Sequence, residues 1–175
     1  VVVVIGGGDT GSDCVGTSIR QGAKEVHQLE IMPEPPDGQN PDTPWPQWPI
    51  IRRNSSSHKE GCQRQWSVMT ERLVGENGRV TGLEGVEVTW QKGDKGRPAM
   101  TTVPGREFAM KADLVLLAMG FVHVDHDIAH EAGLDLDKRG NIIADSGRNT
   151  SEAGIFACGD TVSGASLVVR AINDG

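Results

Sequence analysis

The sequence lacks a long apolar run, a paired set of cysteines and a cluster of basic residues. Its longest purely apolar runs, Val1–Ile5 and Leu114–Met119, have the length of β-strands and fall far short of the ~20 residues that a membrane-spanning helix needs. The formal net charge is −7, from 17 Lys and Arg against 24 Asp and Glu, which disfavours nucleic acid and anionic membranes as partners. We therefore expect a soluble globular protein that binds neither.

Only three cysteines are present, Cys14, Cys62 and Cys158, and none forms a C-x-x-C pair. This spacing predicts neither a disulfide framework nor a redox-active dithiol, and it favours a reducing, cytoplasmic setting. The chain opens on a strand-like Val-Val-Val-Val-Ile with no methionine or leader, so we expect further sequence before Val1. A length of 175 residues suits one domain, or one domain with a part of another.

The first thirty residues predict a β-strand, an α-helix and a second parallel β-strand. A continuously apolar strand, Val1–Ile5, leads into a glycine-rich turn and a helix that ends near Gln21. Gly22 stands where a left-handed helix end is wanted, and Val26–Ile31 is the second strand. The uninterrupted apolar character of the first strand indicates burial on both faces of a parallel sheet.

The middle of the chain is rich in proline. Seven of the nine prolines lie between Pro33 and Pro49, with Trp45 and Trp48 among them, which predicts an extended irregular loop. The loop could be a polyproline ligand for a partner domain, although an aromatic loop over its own domain is the stronger interpretation. Residues 55–74 fit either a helix or strands.

The second half predicts an α/β fold of Rossmann type, in which an antiparallel three-stranded meander accompanies the parallel sheet. The meander strands are assigned to Val80–Gln91, Met100–Val103 and Glu107–Met110. After a buried strand at Leu114–Met119, the expected elements are a short helix at Asp127–Ala132, short strands near Asn141–Ala144 and at Gly154–Cys158, and a final helix from about Gly164.

The turn after the first strand reads Gly6-Gly7-Gly8-Asp9-Thr10-Gly11 and matches the dinucleotide-binding pattern G-x-G-x-x-G in its required place between a strand and a helix. Gly6 permits the tight turn, Gly8 lets the backbone approach a pyrophosphate, and Gly11 allows close packing of helix and strand. The helix N-terminus then offers free N–H groups to the anion. Asp9 is interpreted as the helix cap. The plainer alternative is a tight connection without a ligand.

Glu30 ends the second strand, 19 residues after Gly11, where a ribose-binding carboxylate is expected. A carboxylate there accepts hydrogen bonds from a free 2′-hydroxyl and repels a 2′-phosphate, so it favours NADH over NADPH. Alternatively, Glu30 is a solvated charge at a strand end. Arg52 and Arg53 are the nearby basic pair, and their sequence position does not say whether they reach the ribose.

A second pattern lies near the C-terminal end, where Gly159-Asp160 follows a strand and Ser166-Leu167 opens a helix. Spacing alone leaves Asp160 equally well explained as a turn residue. The pattern resembles the Gly-Asp signature of flavoprotein reductases that bind two dinucleotides. That resemblance implies that Asp160 holds the ribityl chain of FAD and that the following helix points its N-terminus at the flavin. Gly120 resembles the glycine at which the chain of such reductases leaves the nicotinamide domain and re-enters the flavin domain.

Six segments together resemble the small (beta) subunit of glutamate synthase, within the wider pyridine nucleotide-disulphide oxidoreductase-like flavoproteins. They are Gly6–Gly22, Leu29–Pro33, Pro44–Pro49, Trp66–Thr70, Ala112–Phe121 and Ser166–Val169. The resemblance implies an NAD(P)H-binding domain at residues 1–121 and the C-terminal part of an FAD-binding domain at 122–175. It also implies an enzyme that oxidises NAD(P)H at FAD and passes electrons through iron–sulfur centres to a large subunit, which makes glutamate.

Only one glycine turn is present, so the flavin fingerprint and the iron–sulfur cysteines are expected upstream. The alternatives are a related FAD and iron–sulfur reductase of the dihydropyrimidine dehydrogenase kind, or a dinucleotide-binding module without turnover. Direct hydride transfer needs position more than an acid or base, so no catalytic side chain is assigned. His126 and His130, one helical turn apart, are interpreted as a solvated face and not as a metal site. Ser55–His58 lacks the surroundings of a hydrolase nucleophile.

Overall fold

The computed structural model describes residues 1–38, 51–93 and 98–175. The chain forms two compact units, Val1–Gly120 and Phe121–Gly175. Most of the proline-rich loop, with Trp45 and Trp48, lies outside the described residues, so its predicted irregular path stays a prediction.

A four-stranded parallel sheet forms the centre of the first unit. Its strands are β1 (Val2–Ile5), β2 (Val26–Glu30), β3 (Gln63–Trp66) and β7 (Leu114–Leu117), in the order β3-β2-β1-β7. Helix α1 (Asp9–Arg20) joins β1 to β2, which confirms the predicted β-α-β unit. Gly22 has a φ of +88°, as its place after the helix requires.

The apolar run of β1 is buried because both faces of the sheet are covered. Val3 and Val4 are fully buried, and they point to opposite faces. Val4 packs with Val15 of α1, whereas Val3 packs with Leu29 and Leu83 on the other side. The β-branched side chains fill both layers, which is how a central parallel strand gains its stability.

The second layer is an antiparallel sheet of three strands, β4 (Val68–Glu76), β5 (Arg79–Lys92) and β6 (Pro98–Lys111). Asn77 and Gly78 both adopt positive φ in the tight turn between β4 and β5. The predicted meander is confirmed as a three-stranded sheet, but the assignment of its strands was wrong. Its first strand lies upstream, in the segment that fitted helix and strand equally well.

The two short runs assigned as separate strands, Met100–Val103 and Glu107–Met110, belong to the single strand β6. The register shifts between Val86↔Glu107 and Val88↔Thr102, so four residues of β6 stand opposite Glu87 alone. Pro104 has no N–H to donate to a ladder, and Gly105 supplies the positive φ of +76° that the bulge needs. Proline and glycine here bend a strand and do not end it.

Strand β7 was predicted to be buried, but none of its four residues is: Val115 and Leu116 are half-buried and the other two are exposed. The strand lies at the edge of the parallel sheet, next to β1. Leu114 is 47% exposed and Leu117 is 64% exposed, whereas Ala118 directly after it is buried. An edge strand has a neighbour on one side only, so an apolar run does not by itself establish burial.

The second unit contains short helices around a small core. These helices are α3 (His126–Glu131), α4 (Asp160–Ser163) and α5 (Val168–Asp174). The short helix α2 (Ser56–Lys59) belongs to the first unit. The core contains Ala129, Leu134, Ile142 and Ala157.

The two strands predicted in the second unit are reduced to single bridges, Leu136↔Ile142 and Asn149↔Phe156. Phe156 is 65% exposed, so the buried strand expected at Gly154–Cys158 was wrong. A strand needs a partner for its backbone groups, and the local sequence cannot supply one. The final helix begins at Val168 and not near Gly164. None of the helices in the described part of the chain has the length and apolar character for a bilayer crossing.

Candidate functional site

Close packing of backbone explains two of the three pattern glycines. Gly6 has a φ of +122°, and its N–H donates to the Leu29 carbonyl at 2.8 Å. A Cβ on Gly6 would overlap the Ala118 carbonyl, and a Cβ on Gly11 would overlap the Gly6 carbonyl. Neither position has room for a larger residue, as the pattern predicts for the turn and for the contact between helix and strand.

Gly8 differs from its neighbours because a Cβ there would meet no atom of the described residues within 4 Å. Gly8 is the N-cap residue of α1, with extended backbone at φ −77° and ψ −171°. Its carbonyl accepts the first helical hydrogen bond, from Ser12 N–H at 3.0 Å. Residues 1–38, 51–93 and 98–175 therefore leave the space in front of Gly8 open.

Asp9 is the first residue of α1, and Thr10 follows it, exposed. The interpretation of Asp9 as the helix cap was wrong, because Gly8 occupies the cap position and no side chain caps it. The helix begins one residue earlier than a side-chain cap at Asp9 would require. The carboxylate instead lies in the first turn, where the helix dipole stabilises negative charge.

Glu30 lies directly against the glycine turn. Its Oε2 accepts a hydrogen bond from Gly7 N–H at 2.6 Å, and its Oε1 accepts one from Met32 N–H at 2.8 Å. A Cβ on Gly7 would approach Glu30 Oε2 to 2.5 Å, so the middle glycine leaves room for the carboxylate. The structure thus brings Glu30 and the turn together, although Gly7 and Glu30 are 23 residues apart in the sequence.

Two cavities of the first unit meet at this turn. The first has a volume of about 860 Å³ and the second of about 720 Å³, and Gly7, Gly8 and Glu30 line both. Both lie at the carboxyl ends of β1 and β2, which is where open parallel sheets bind ligands. Their sizes suit a small organic molecule. Gly120, with a φ of +89°, lines the second cavity.

Only one of the two arginines to which the sequence pointed lines the first cavity. Arg52 pairs with Glu34 at 2.9 Å, whereas Arg53 lines the cavity. Arg64 was missed: it lines the cavity and lies 4.7 Å above the ring of Trp66. Arg64 and Trp66 belong to residues 55–74, whose secondary structure the sequence left open, and their alternation along β3 was the available signal.

A chain of polar side chains beside the turn was also missed. Gln28 is 2% exposed, and its Nε2 donates to the Gly6 carbonyl at 3.0 Å. Its Oε1 lies 2.9 Å from His58 Nε2, and His58 Nδ1 lies 3.1 Å from Ser55 Oγ. Ser55 Oγ in turn hydrogen-bonds Ser12 Oγ. Burial lowers the pKa of His58 below its ordinary 6.5, and the charge of Arg64 lowers it further.

The residues of the C-terminal pattern come together within the second unit. Asp160 is the first residue of α4, and its Oδ1 accepts hydrogen bonds from Ser166 N–H at 3.2 Å and Ser166 Oγ–H at 3.4 Å. Gly159 has a φ of +65°, and its N–H donates to Asp174 at 2.6 Å. Leu167 is the N-cap residue of α5 and is 64% exposed. The short helix α4 between the two halves of the pattern was not predicted.

Three histidines of the second unit lie close together. His123 and His126 stack with ring centroids 3.9 Å apart, and His130 lies 5.7 Å from His126. His126 Nε2 lies 3.0 Å from the Gly140 carbonyl. Within residues 1–38, 51–93 and 98–175, no group of three or more His, Cys, Asp and Glu side chains converges in a way that would hold a metal ion.

The sequence matches the family described as pyridine nucleotide-disulphide oxidoreductase over residues 1–175. It is 47% identical over 175 residues to the glutamate synthase (NADPH) small chain of Mycobacterium tuberculosis, with 99% of this chain and 35% of that protein covered. It is 38% identical over 183 residues to glutamate synthase (NADH) of Saccharomyces cerevisiae, with 99% of this chain and 8% of that protein covered. The chain thus spans about a third, or less, of these relatives.

Among solved structures, the fold resembles FprA of M. tuberculosis in complex with NADPH. The TM-score is 0.69 at 15% sequence identity, and the similarity covers 96% of this chain and 48% of that one. At this identity the likeness establishes the fold alone.

Proposed function

The chain belongs to the pyridine nucleotide-disulphide oxidoreductase family, and we propose that it is the NAD(P)H-binding part of a glutamate synthase small subunit. The observation that carries this proposal is the open space in front of Gly8, between two cavities at the carboxyl ends of the parallel strands. The full-length relatives named glutamate synthase support the reaction class.

A dinucleotide fits this groove with its diphosphate at the start of α1. The free N–H groups of the first helical turn and the helix dipole attract the anion. Gly8 leaves the approach open, whereas Gly6 and Gly11 hold the turn in shape. Nicotinamide supplies the hydride when the dinucleotide is bound, and the contribution of this chain is to bind and orient it.

Glu30 favours NADH in this proposal. Each carboxylate oxygen already accepts one backbone N–H, and each has a further lone pair for a ribose hydroxyl. A 2′-phosphate would meet a like charge held in place by those two bonds. Arg53 and Arg64 line the same cavity and oppose this effect, and the relatives named above include one NADPH and one NADH protein.

The second unit is proposed to be the C-terminal part of an FAD-binding domain. Asp160 is exposed and its carboxylate is already oriented by Ser166, so it would be available to a ribityl hydroxyl. Gly159, Ser166 and Leu167 are the other proposed flavin contacts of this unit. The large subunit as partner, iron–sulfur centres held by sequence beyond this chain, and a cytoplasmic location complete the proposal. All three cysteines are free, and a reducing compartment keeps thiols in that form.

A second candidate function is dinucleotide binding without turnover. The glycine turn with its two cavities favours it, because these features account for binding without any side chain assigned to the chemistry. A related reductase of the dihydropyrimidine dehydrogenase kind stays an alternative within the class.

Titration of the 175-residue protein with NADH and NADPH, followed by an assay of the full-length protein with NADH and an artificial electron acceptor, tests these proposals. Binding with NADH favoured supports the main proposal, and binding without oxidation supports the binding module. Tighter binding of NADPH would overturn the role of Glu30, and no binding of either nucleotide would overturn the function itself.

A further inference from the structure

The hydrogen-bonded chain from Gln28 through His58 and Ser55 to Ser12, here called the relay, links β2, α2 and α1 to the glycine turn. Gln28 and Ser12 are 2% and 7% exposed. Buried polar groups persist when they are hydrogen-bonded, and each loss leaves a costly unpaired atom. The relay is therefore a structural unit whose members depend on one another.

The hydrogen bonds on the two sides of the His58 ring fix its protonation state. The Gly6 carbonyl can only accept, so the Gln28 amide turns its nitrogen to Gly6 and its oxygen to His58 Nε2. That oxygen requires a hydrogen on Nε2. On the other side, Ser55 backbone N–H donates to His58 Nδ1 at 3.2 Å, which requires a bare Nδ1. Both bonds are satisfied only by the neutral Nε2–H tautomer.

The relay also orients one peptide group of the turn. The Gly6 carbonyl and the Gly7 N–H belong to the same planar peptide. Gln28 holds its oxygen at 3.0 Å, and Glu30 holds its N–H at 2.6 Å. Gln28 and Glu30 are two residues apart on β2, so their side chains lie on the same face. Loss of the Gln28 contact would free the peptide that anchors Glu30.

We infer that the relay positions the glycine turn for the diphosphate of the dinucleotide, and that it does so only while His58 is neutral. This inference rests on the proposed function. Protonation would place a hydrogen on Nδ1 against the Ser55 N–H, break that bond, and disturb the contacts to Ser12 and Gln28. Gln28 and His58 are positioning residues, because they act through the turn and have no assigned contact with the ligand.

The charges around His58 come from several elements. Lys59 and Glu60 adjoin it in sequence, and Arg20 of α1 pairs with Glu60. The charged side chains that line the same cavity as His58 are Asp9, Glu30, Glu34, Arg53, Arg64 and Lys92. Arg64 and burial both favour the neutral form of His58.

Three variants test the relay, with ADP-ribose as the probe because it carries the diphosphate without a titrating 2′-phosphate. Gln28→Met removes the donor to the Gly6 carbonyl, and His58→Leu removes the donor to Gln28. In each variant we expect the Kd of ADP-ribose to rise about three- to tenfold, the usual effect of one hydrogen bond. His58→Gln keeps an N–H donor near the position of Nε2, so we expect its Kd at pH 7.5 to stay within about twofold of wild type.

A matched control and a double variant separate positioning from general stability. Ser18→Ala removes a buried hydroxyl that donates to the Cys14 carbonyl on the same helix, outside the relay. It should lower the melting temperature without a change in Kd. The double variant Gln28→Met/His58→Leu should bind no more weakly than the weaker single variant, because both changes interrupt one chain. Fully additive losses would overturn the relay.

The pH profile gives the readout that a purely structural role would not change. ADP-ribose affinity of the wild type should fall as the pH is lowered below 6.5, and His58→Gln should lack that fall. Affinity that rises towards acid pH would overturn the inference, because His58 would then act as a cation. Equal Kd values in wild type and all variants would overturn the relay alone, whereas no binding to wild type would overturn the proposed function and the relay together.

Discussion

Gly7 donates its backbone N–H to Oε2 of Glu30 over 2.6 Å, so the residue that would select the coenzyme is bonded to the turn that would bind its phosphates. A change at Glu30 is therefore expected to act on both. The nearby Glu30 carboxylate also explains why Gly7, which stands at a variable position of the G-x-G-x-x-G pattern, has no room for a side chain.

Glu30→Gln should reduce the preference for NADH. The substitution removes the charge that opposes a 2′-phosphate and keeps an oxygen for the Gly7 N–H. We expect the ratio of the NADPH Kd to the NADH Kd to fall about tenfold, since close like charges cost at least 1.4 kcal/mol, or about that factor. Titration of both nucleotides measures it. Glu76→Gln, at an exposed carboxylate of β4, is the control and should leave the ratio unchanged.

Gly8→Val should abolish dinucleotide binding without unfolding the protein. A Cβ at residue 8 would meet no atom of the described residues within 4 Å, and the valine would occupy the space proposed for the diphosphate. Stability should change by no more than about 1 kcal/mol, the effect of a poorer helix cap. Calorimetry of NADH binding and a urea titration give the two quantities. NADH affinity equal to that of wild type would contradict the proposed site.

Gly11→Ala is the opposite case. Its Cβ would overlap the Gly6 carbonyl and lie 2.8 Å from Gln28 Nε2. Accommodating it requires a backbone shift, which should lower the free energy of unfolding by about 1–3 kcal/mol and weaken NADH binding as well. Urea denaturation beside Gly8→Val distinguishes the two glycines. A Gly11→Ala protein as stable as wild type would show that the turn can relax.

Leu83→Ala should destabilise the first unit strongly. Leu83 is 1% exposed and packs with Val3, Leu29 and Val68 between the two sheets. The cavity left behind should cost about 2–5 kcal/mol in the free energy of unfolding. Leu73→Ala, where the leucine is 50% exposed on β4, should cost well under half as much. Equal losses in the two variants would contradict the packing of the meander on the parallel sheet.

Asp137 should make the second unit sensitive to acid. Backbone N–H groups of Asn141 and Arg139 donate to its carboxylate at 2.9 and 2.8 Å, and these bonds, that of Asn141 first, hold its pKa below the ordinary 3.8. A carboxyl with a depressed folded pKa stabilises the fold above 3.8, and this stability is lost as the pH falls towards the lowered value.

In Asp137→Asn, the acceptor oxygen stays and the titration is removed. Its melting temperature should therefore fall less steeply between pH 4 and pH 2.5 than that of wild type. Glu131→Gln, at an exposed position of α3, should keep the wild-type slope. A slope in Asp137→Asn equal to that of wild type would contradict this role of Asp137.

The first thirty residues were predictable from sequence because their determinants are local. The apolar run of β1, the glycine spacing and Gly22 each specify a backbone conformation within a few residues. Glu30 could be assigned to the end of β2 in the same way. The β-α-β pattern also predicts the parallel pairing of β1 with β2, which brings Glu30 beside the glycine turn, whereas its hydrogen bond to Gly7 comes from the structure.

The misassigned parts depend on distant partners. Val68–Glu76 contains Thr, Glu and Arg among its apolar residues and becomes a strand because β5 pairs along its whole length. Pro104 and Gly105 suggested the end of a strand, but the surrounding ladder absorbs them as a bulge. His58 is 30 residues from Gln28 in sequence, so no spacing rule could have joined them. Side-chain pairing of this kind is set by tertiary packing.

The tight turn at Asn77 and Gly78 has a practical use. It joins β4 to β5 at the end of the hairpin away from Trp90, which lines the first cavity. Both residues are exposed and already adopt the left-handed backbone that the turn requires. Exposed loop tips of this kind accept insertions readily, so a short peptide tag at this turn would give a handle for immobilising the protein at a point distant from Trp90 and the first cavity.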